Sequence, residues 1–354
     1  MKLGAMMARS VEVFDFSRQL TSKEAMAFEA RLGRLTGAFG RSAVAATNRF
    51  RAELLATNRA DQGLRVRVPF SCLTVPIADM EVSDRRAPRI DLRPPATRIM
   101  TSQGIALRLY LTILAAAQAT TKPGRRFVNS WPIIGSTQSF GWDDIVATSA
   151  VVSGRGETYS SVRDKKARSI RTGLGSLERA GLVELVGEPG KRGRHDNFVV
   201  LNDIGWQNAG DPMQYMVPVT SEDCFLVPAG FVGNGWLNAL EDSEIAVLLM
   251  IACGRHRIGP PGVDLDLAEG EVAIPGVDRL RHYGLHRDPY ANARKTLEWF
   301  GLIEVREVMR HYSDGRGEDG ATFLHRMKLL PDGFTANAHE IVPHILRAQL
   351  NRRN

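Results

Sequence analysis

Lys165, Arg168, Thr172 and Arg179 recur at a spacing that, at about 100° per residue, gathers them on one side of a helix, with Arg171 on the flank. The opposite side carries Ile170, Leu174 and Leu177 at i, i+4 and i+7, a single apolar stripe that fixes which side faces water. A cationic face with a hydroxyl in its middle suits a phosphate backbone. Ammonium and guanidinium groups neutralise phosphates, and an arginine can pair bidentately with guanine O6 and N7. Further along, Lys191, Arg192 and Arg194 crowd the segment 188–196 (EPGKRGRHD), whose Gly and Pro content makes it a turn and not a strand interior.

The elements that must position these cations follow from the surrounding residues. Gly181 suits the left-handed position that closes a helix, and Leu182 continues the packing. Residues 183–186 and 198–201 are the apolar arms of a hairpin whose tip is the basic segment. A basic helix leading directly into a two-stranded wing resembles the second half of a winged-helix module. That resemblance implies a helix in the DNA major groove and a wing on the flanking backbone. The alternative is a solvated basic helix beside a basic loop.

Upstream, residues 102–118 form a helix with Ile105, Leu107, Leu111 and Leu114 available for burial, and 127–134 a short strand. Residues 141–152 suit the first helix of a helix-turn-helix, with 154–157 as the turn. The same order then repeats. Residues 239–258 read as a helix with Asp242 or Ser243 as N-cap, 271–275 as a strand, 276–284 as a short helix and 286–289 as a turn. A second candidate recognition helix spans 290–300, and strands 303–310 and 322–330 make a second wing. Gly301-Leu302-Ile303-Glu304-Val305 matches Gly181-Leu182-Val183-Glu184-Leu185, and a repeat of one unusual order argues for two related units.

The copies differ chemically. In the second helix Ala293, Leu297 and Phe300 mark the core side, Lys295 and Glu298 face outward, and Asn292 and Arg294 take the flanks. Asn292 has the amide that pairs bidentately with adenine. At the second wing tip Arg316 is mixed with Asp314, Glu318 and Asp319, so the first module offers the stronger phosphate-facing surface. Docking or dimerisation is the alternative use of the second module.

The expected fold class is α+β, mainly helical: two winged helix-turn-helix domains in tandem with a helical N-terminal extension. The expected divisions are 1–100 for the extension and connector, 101–203 for the first module and 204–237 for a packed joint. The second module takes 238–333 and a helical tail 334–354. The helical part of the extension, 21–59, carries Arg31, Arg34, Arg41, Arg49 and Arg51, read as a solvated face in preference to a second basic surface.

Composition sets outer limits. The chain has 354 residues, enough for two or three domains, and a net charge of +7, the sign expected of a phosphate-binding surface. Its three cysteines, Cys72, Cys224 and Cys253, lack the spacing of a zinc site and read as free thiols of a reducing cytosol. No apolar run reaches the length of a membrane span, and the first residues lack the apolar core of a signal peptide, so a cytoplasmic protein is expected. Gly187–Arg192 has a Gly-Lys pair without the spacing of a phosphate-binding loop. His282 and His286 read as a surface pair and not as metal ligands. No catalytic, metal or cofactor site is expected.

Two unlike modules, each with "GL[VI]E[LV]" after the recognition helix, resemble the tandem winged-helix replication initiators of plasmids. The resemblance covers roughly residues 101–331 and is architectural. It implies binding to repeated origin DNA, a module used for dimerisation, and autoregulation of transcription. The expected partner is double-stranded DNA, with a second copy of the chain and replication or transcription proteins as further candidates. A transcriptional regulator and a winged-helix assembly or chromosome-partition component remain the alternatives.

Overall fold

Helix α1 (Ser22–Thr36) starts with a reciprocal cap: the Thr21 hydroxyl accepts from the Glu24 N–H, and the Glu24 carboxylate accepts from the Thr21 N–H. Gly37 separates α1 from α2 (Ala38–Phe50), which runs on into a π-helical turn at Arg51–Leu55. The structure is a computed structural model that describes residues 19–55, 63–77, 86–100, 104–136, 139–150, 161–191, 193–204, 213–254, 269–310 and 322–352, with backbone only at 307–310 and 322–324.

Strand β1 (Leu64–Arg67) feeds α3 (Val68–Ser71), where Pro69 occupies the first turn and its missing N–H costs no bond. A 3-10 turn at Ile90–Leu92 precedes α4 (Pro95–Arg98). Helix α5 (Ala106–Thr120) has eleven of its fifteen residues buried, so it is a central pillar and not an amphipathic surface helix. Around it lie α6 (Trp142–Ile145), α7 (Val162–Arg179), β2 (Val183–Glu184) and β3 (Val199–Val200). Strand β4 (Cys224–Val227) pairs antiparallel with β1, then α8 (Gly230–Gly233) and α9 (Trp236–Ala239) lead to the buried α10 (Asp242–Cys253). The order closes with β5 (Glu271–Ala273), α11 (Gly276–Tyr283), α12 (Arg287–Trp299), β6 (Ile303–Arg310), β7 (Thr322–Leu329) and α13 (Ala338–Asn351). The result is a mainly helical α+β fold with small antiparallel sheets, the largest ordered β5-β7-β6. No helix among the described residues is long and apolar enough to cross a membrane.

The ends of α7 and α12 close in the same way. After α7 the Gly181 N–H donates to Glu178 O and the Leu182 N–H to Leu177 O, the paired bonds that close a helix through a left-handed glycine. After α12 the Gly301 and Leu302 N–H groups donate to Glu298 O and Leu297 O in the same pattern. Both glycines have φ 71°. Each leucine carbonyl then accepts from the returning strand, Leu182 from Leu201 and Leu302 from Leu330.

Four local expectations need correction. Residues 127–134 form no strand; the pairing partner arrives instead from the joint, where the Tyr215 N–H donates to Val200 O and Tyr215 O accepts from Phe127. Segment 213–217 (MQYMV) therefore lies between β3 and residues 124–127, with Tyr215 and Val217 buried. The helix expected over 141–152 is the single turn α6, after which Val146 is extended and the Thr148 N–H donates to the Ser42 hydroxyl of α2. Glu241, not Asp242 or Ser243, caps α10: its own N–H donates to the Glu244 carboxylate. Finally α12 begins at Arg287, with Pro289 tolerated in its first turn, so the turn before it is shorter than 286–289. The loop 154–157 lies outside the described residues.

Arg31 departs from the solvated reading of the N-terminal arginines, which Arg41, Arg49 and Arg51 keep as exposed side chains. Its guanidinium is buried, pairs with both Glu244 oxygens at 2.6 and 2.8 Å, donates to Ala239 O at 3.0 Å and stacks 4.9 Å from the Phe300 ring centroid. Burial alone lowers its pKa; the Glu244 charge more than offsets that and leaves it raised. A second buried knot joins β1 to the joint: Arg67 donates to Asp203 at 2.7 Å, to Glu222 at 2.6 Å and to Met216 O at 2.9 Å.

Removing one partner of a buried pair leaves the other charge uncompensated, at a cost of about 3–5 kcal/mol. Arg31→Met should therefore lower unfolding free energy by that order in urea titration, whereas Arg31→Met with Glu244→Met should recover most of the loss. Equal losses in the single and double variants would contradict a paired Arg31. Acid sensitivity follows from two imidazoles. Burial, then the Arg294 charge, pushes His325 down to about 4, and burial lowers His339. Unfolded histidines protonate near ~6.5, so stability is full above that pH and is lost as pH falls toward about 4. The urea midpoint should fall over that window, and His325→Gln should make the fall shallower.

Candidate nucleic-acid interface

Helix α7 is held at both ends and along its inner face. Ser161 and Asp164 form its N-terminal capping box. Ala167, Ile170, Gly173, Leu174 and Leu177 are buried. Gly173 marks the crossing with α5, since a Cβ there would stand 2.9 Å from Leu109 Cδ2 and 3.0 Å from Ile105 Cγ1. At the N-terminal end Arg163 donates to Gly135 O at 2.7 Å and Lys166 to Asp143 O at 3.2 Å, which fixes α7 against the turn before α6. Beneath the hairpin, Trp131, Phe140, Trp142 and Phe198 form one aromatic cluster with ring centroids 4.8–5.6 Å apart.

The outer face presents what the spacing implied. Arg168, Arg171, Thr172 and Arg179 are exposed and Lys165 is half-buried. Among the described residues Arg168 and Arg171 form no ion pair, so their donors face water. Arg179 donates to the Ser176 hydroxyl at 3.0 Å, and the Thr172 hydroxyl donates back to Arg168 O at 2.9 Å, a local bond that still leaves the oxygen able to accept. Sequence spacing alone did not single out Arg163 or Lys166; their role as anchors depends on carbonyls far along the chain.

The hairpin tip is built from glycines at positive φ, Gly190 and Gly193, and is tied back to α7. One nitrogen of Arg194 reaches both oxygens of Glu178, each at 2.8 Å. Arg194 is thus a strut between hairpin and helix before it is a phosphate ligand. Lys191 is exposed and pairs with Glu188, while Arg192 lies outside the described residues. Burial, then the charges of Arg171 and Arg194, lower the pKa of His195, evidence of a cationic neighbourhood where α7 meets the hairpin.

The second helix is a different surface. Asn292 is exposed. Arg294, placed on a flank by helical projection, is instead buried, its guanidinium 4.5 Å from the Tyr290 ring centroid. Lys295 does not face open solvent either, because α1 lies over this side: its ammonium meets Glu24 at 2.8 Å, and Phe28 packs on Trp299 at 5.4 Å between centroids. Glu298 turns inward to accept from the Val305 N–H at 3.0 Å. Arg316 lies outside the described residues.

Among the described residues no group of three or more His, Cys, Asp and Glu side chains is placed to hold a metal ion. His282 Nδ1 lies 2.9 Å from Leu73 O, a structural contact. Comparison with protein-family models, with curated proteins and with solved structures finds no match. What the arrangement offers is a rigid, cation-bearing helix braced against a short hairpin.

The brace is measurable. A double-mutant cycle with Glu178→Gln and Arg194→Gln should return a coupling of about 0.5–1 kcal/mol, the range for partly exposed pairs. A coupling of zero would show that the hairpin is held by its backbone alone.

Proposed function

We propose that this chain is a sequence-specific double-stranded DNA-binding protein that lays α7 in a major groove and sets the following hairpin on the flanking backbone. The observation that carries the reading is the exposed Arg168–Arg171 pair, neither in an ion pair among the described residues, on the face of α7 opposite its buried stripe. Thr172 next to the arginines adds a hydroxyl, and Lys191 extends the cations onto the hairpin. Arginines on a fixed helix suit both phosphate contact and bidentate pairing with guanine.

The finer reading is two winged-helix modules in tandem, supported by the duplicated glycine closure after α7 and α12. On that reading the modules divide the labour. The first grips DNA; the second keeps Arg287 and Asn292 open at the head of α12, while α1 covers Lys295 and Trp299. Tandem unlike modules on one chain favour replication initiation on a plasmid or mobile element over a single-operator regulator. DNA fragments recovered with the protein from its source should carry direct repeats; a lone inverted repeat would favour transcriptional regulation.

The binding claim is tested by Arg168→Ala with Arg171→Ala. Affinity for a selected duplex should fall at least tenfold, and the slope of log K against log salt should become shallower by about 2, close to one unit for each phosphate no longer neutralised. If that double variant binds every duplex as tightly as the parent, the proposal is wrong.

A further inference from the structure

A groove of about 300 Å3 runs beside α7, walled by Lys165, Arg168 and Thr172 on one side and by Gly104 and Ile105 on the other. A larger cleft of about 810 Å3 begins at the same Gly104 and Ile105 and continues between α1, α5 and α10 to His286 and Pro289 at the head of α12. The two concavities share a wall at Gly104 and Ile105, and a path across it leads from the cationic face of α7 to the first turn of α12.

Two arginines stand along the second part of that path. Arg34 of α1 and Arg108 of α5 both lie over the Phe39 ring, 4.8 and 5.9 Å from its centroid. Arg34 meets Glu241 through a single contact at 3.2 Å, and Arg108 meets Asp242 through one at 3.3 Å. A guanidinium has five donors, so one such contact leaves Arg34 with capacity for a second anion. Burial, then the nearby Arg108 charge, hold the Arg34 pKa below its ordinary value despite Glu241. Cationic repulsion is thus only partly neutralised here.

We propose that this cleft carries the DNA backbone onward from α7, with Arg34 neutralising a phosphate beyond those that α7 contacts; the proposal rests on the reading of α7 as a DNA-binding helix. The N-terminal helices are then part of the DNA-binding surface as well as a scaffold. A duplex on this path runs toward Arg287 and Asn292, which remain exposed on α12. Glu241, half-exposed beside Arg34, is the carboxylate that opposes this contact.

The experiment compares Arg34→Ala, Arg34→Lys and Glu241→Gln in the full chain, with salt-dependent affinity for a selected duplex as the readout. Arg34→Ala should weaken binding about 3- to 10-fold and make the log K–log salt slope shallower by about 1. Arg34→Lys should keep the slope, and Glu241→Gln should tighten binding, an opposite sign that a loss of folding does not mimic. The proposal is overturned if Arg34→Ala and Glu241→Gln both leave affinity and slope unchanged while Arg168→Ala with Arg171→Ala weakens binding. If that α7 variant is also unchanged, the DNA reading of α7 falls with it. ATP serves as the small-anion probe: a rise in Tm with ATP that Arg34→Ala abolishes, with DNA affinity unaffected, would make the cleft a small-anion site and overturn the DNA path.

Discussion

The buried pair between Arg31 and Glu244 is the constraint around which the chain is arranged. Glu244 does two jobs at once: its carboxylate accepts the Glu241 N–H that starts α10, and it neutralises a guanidinium brought in by α1. Neither charge belongs in an apolar interior alone, because an unpaired buried ion costs several kcal/mol. Their mutual need ties α1 to the first turn of α10. Arg34 and Arg108 meet the neighbouring acids Glu241 and Asp242, so the head of α10 joins the N-terminal helices to α5.

That arrangement explains why two similar helix-and-hairpin units present different surfaces. Helix α7 crosses α5 closely at Gly173, and Arg168 and Arg171 on its far side are exposed. Helix α12 has α1 against its outward stripe, which takes Lys295 and Trp299 out of circulation and leaves the head of the helix open. Burial of Arg294 over Tyr290 removes a further cation from the second surface. The asymmetry that composition hinted at thus has a packing cause.

Legibility in the sequence followed locality. The Ile170–Leu174–Leu177 stripe, the closing glycines at 181 and 301 and the long hairpin of β6 and β7 depend on near neighbours, and all are where periodicity and turn chemistry put them. Arg31 failed because its partner lies 213 positions away, and a surface-like helical pattern hides one buried arginine among several exposed ones. A packed joint is expected from the sequence, but the pairing of 213–217 is not, because its partners Val200 and Phe127 lie elsewhere in the chain. Within the candidate interface, spacing identified the cationic face of α7. It did not reveal that Arg194 is bound to Glu178, or that α1 covers the middle of α12.

The central claim is that the exposed arginine face of α7 holds duplex DNA largely through phosphates. The most direct measurement is the affinity of the unaltered chain for a duplex selected from its source DNA, followed across about a fourfold range of monovalent salt. Release of condensed counterions by several phosphate contacts predicts a log–log slope of roughly −3 or steeper. Failure to retain any duplex at low salt, or binding whose affinity stays level as salt rises, would contradict the account.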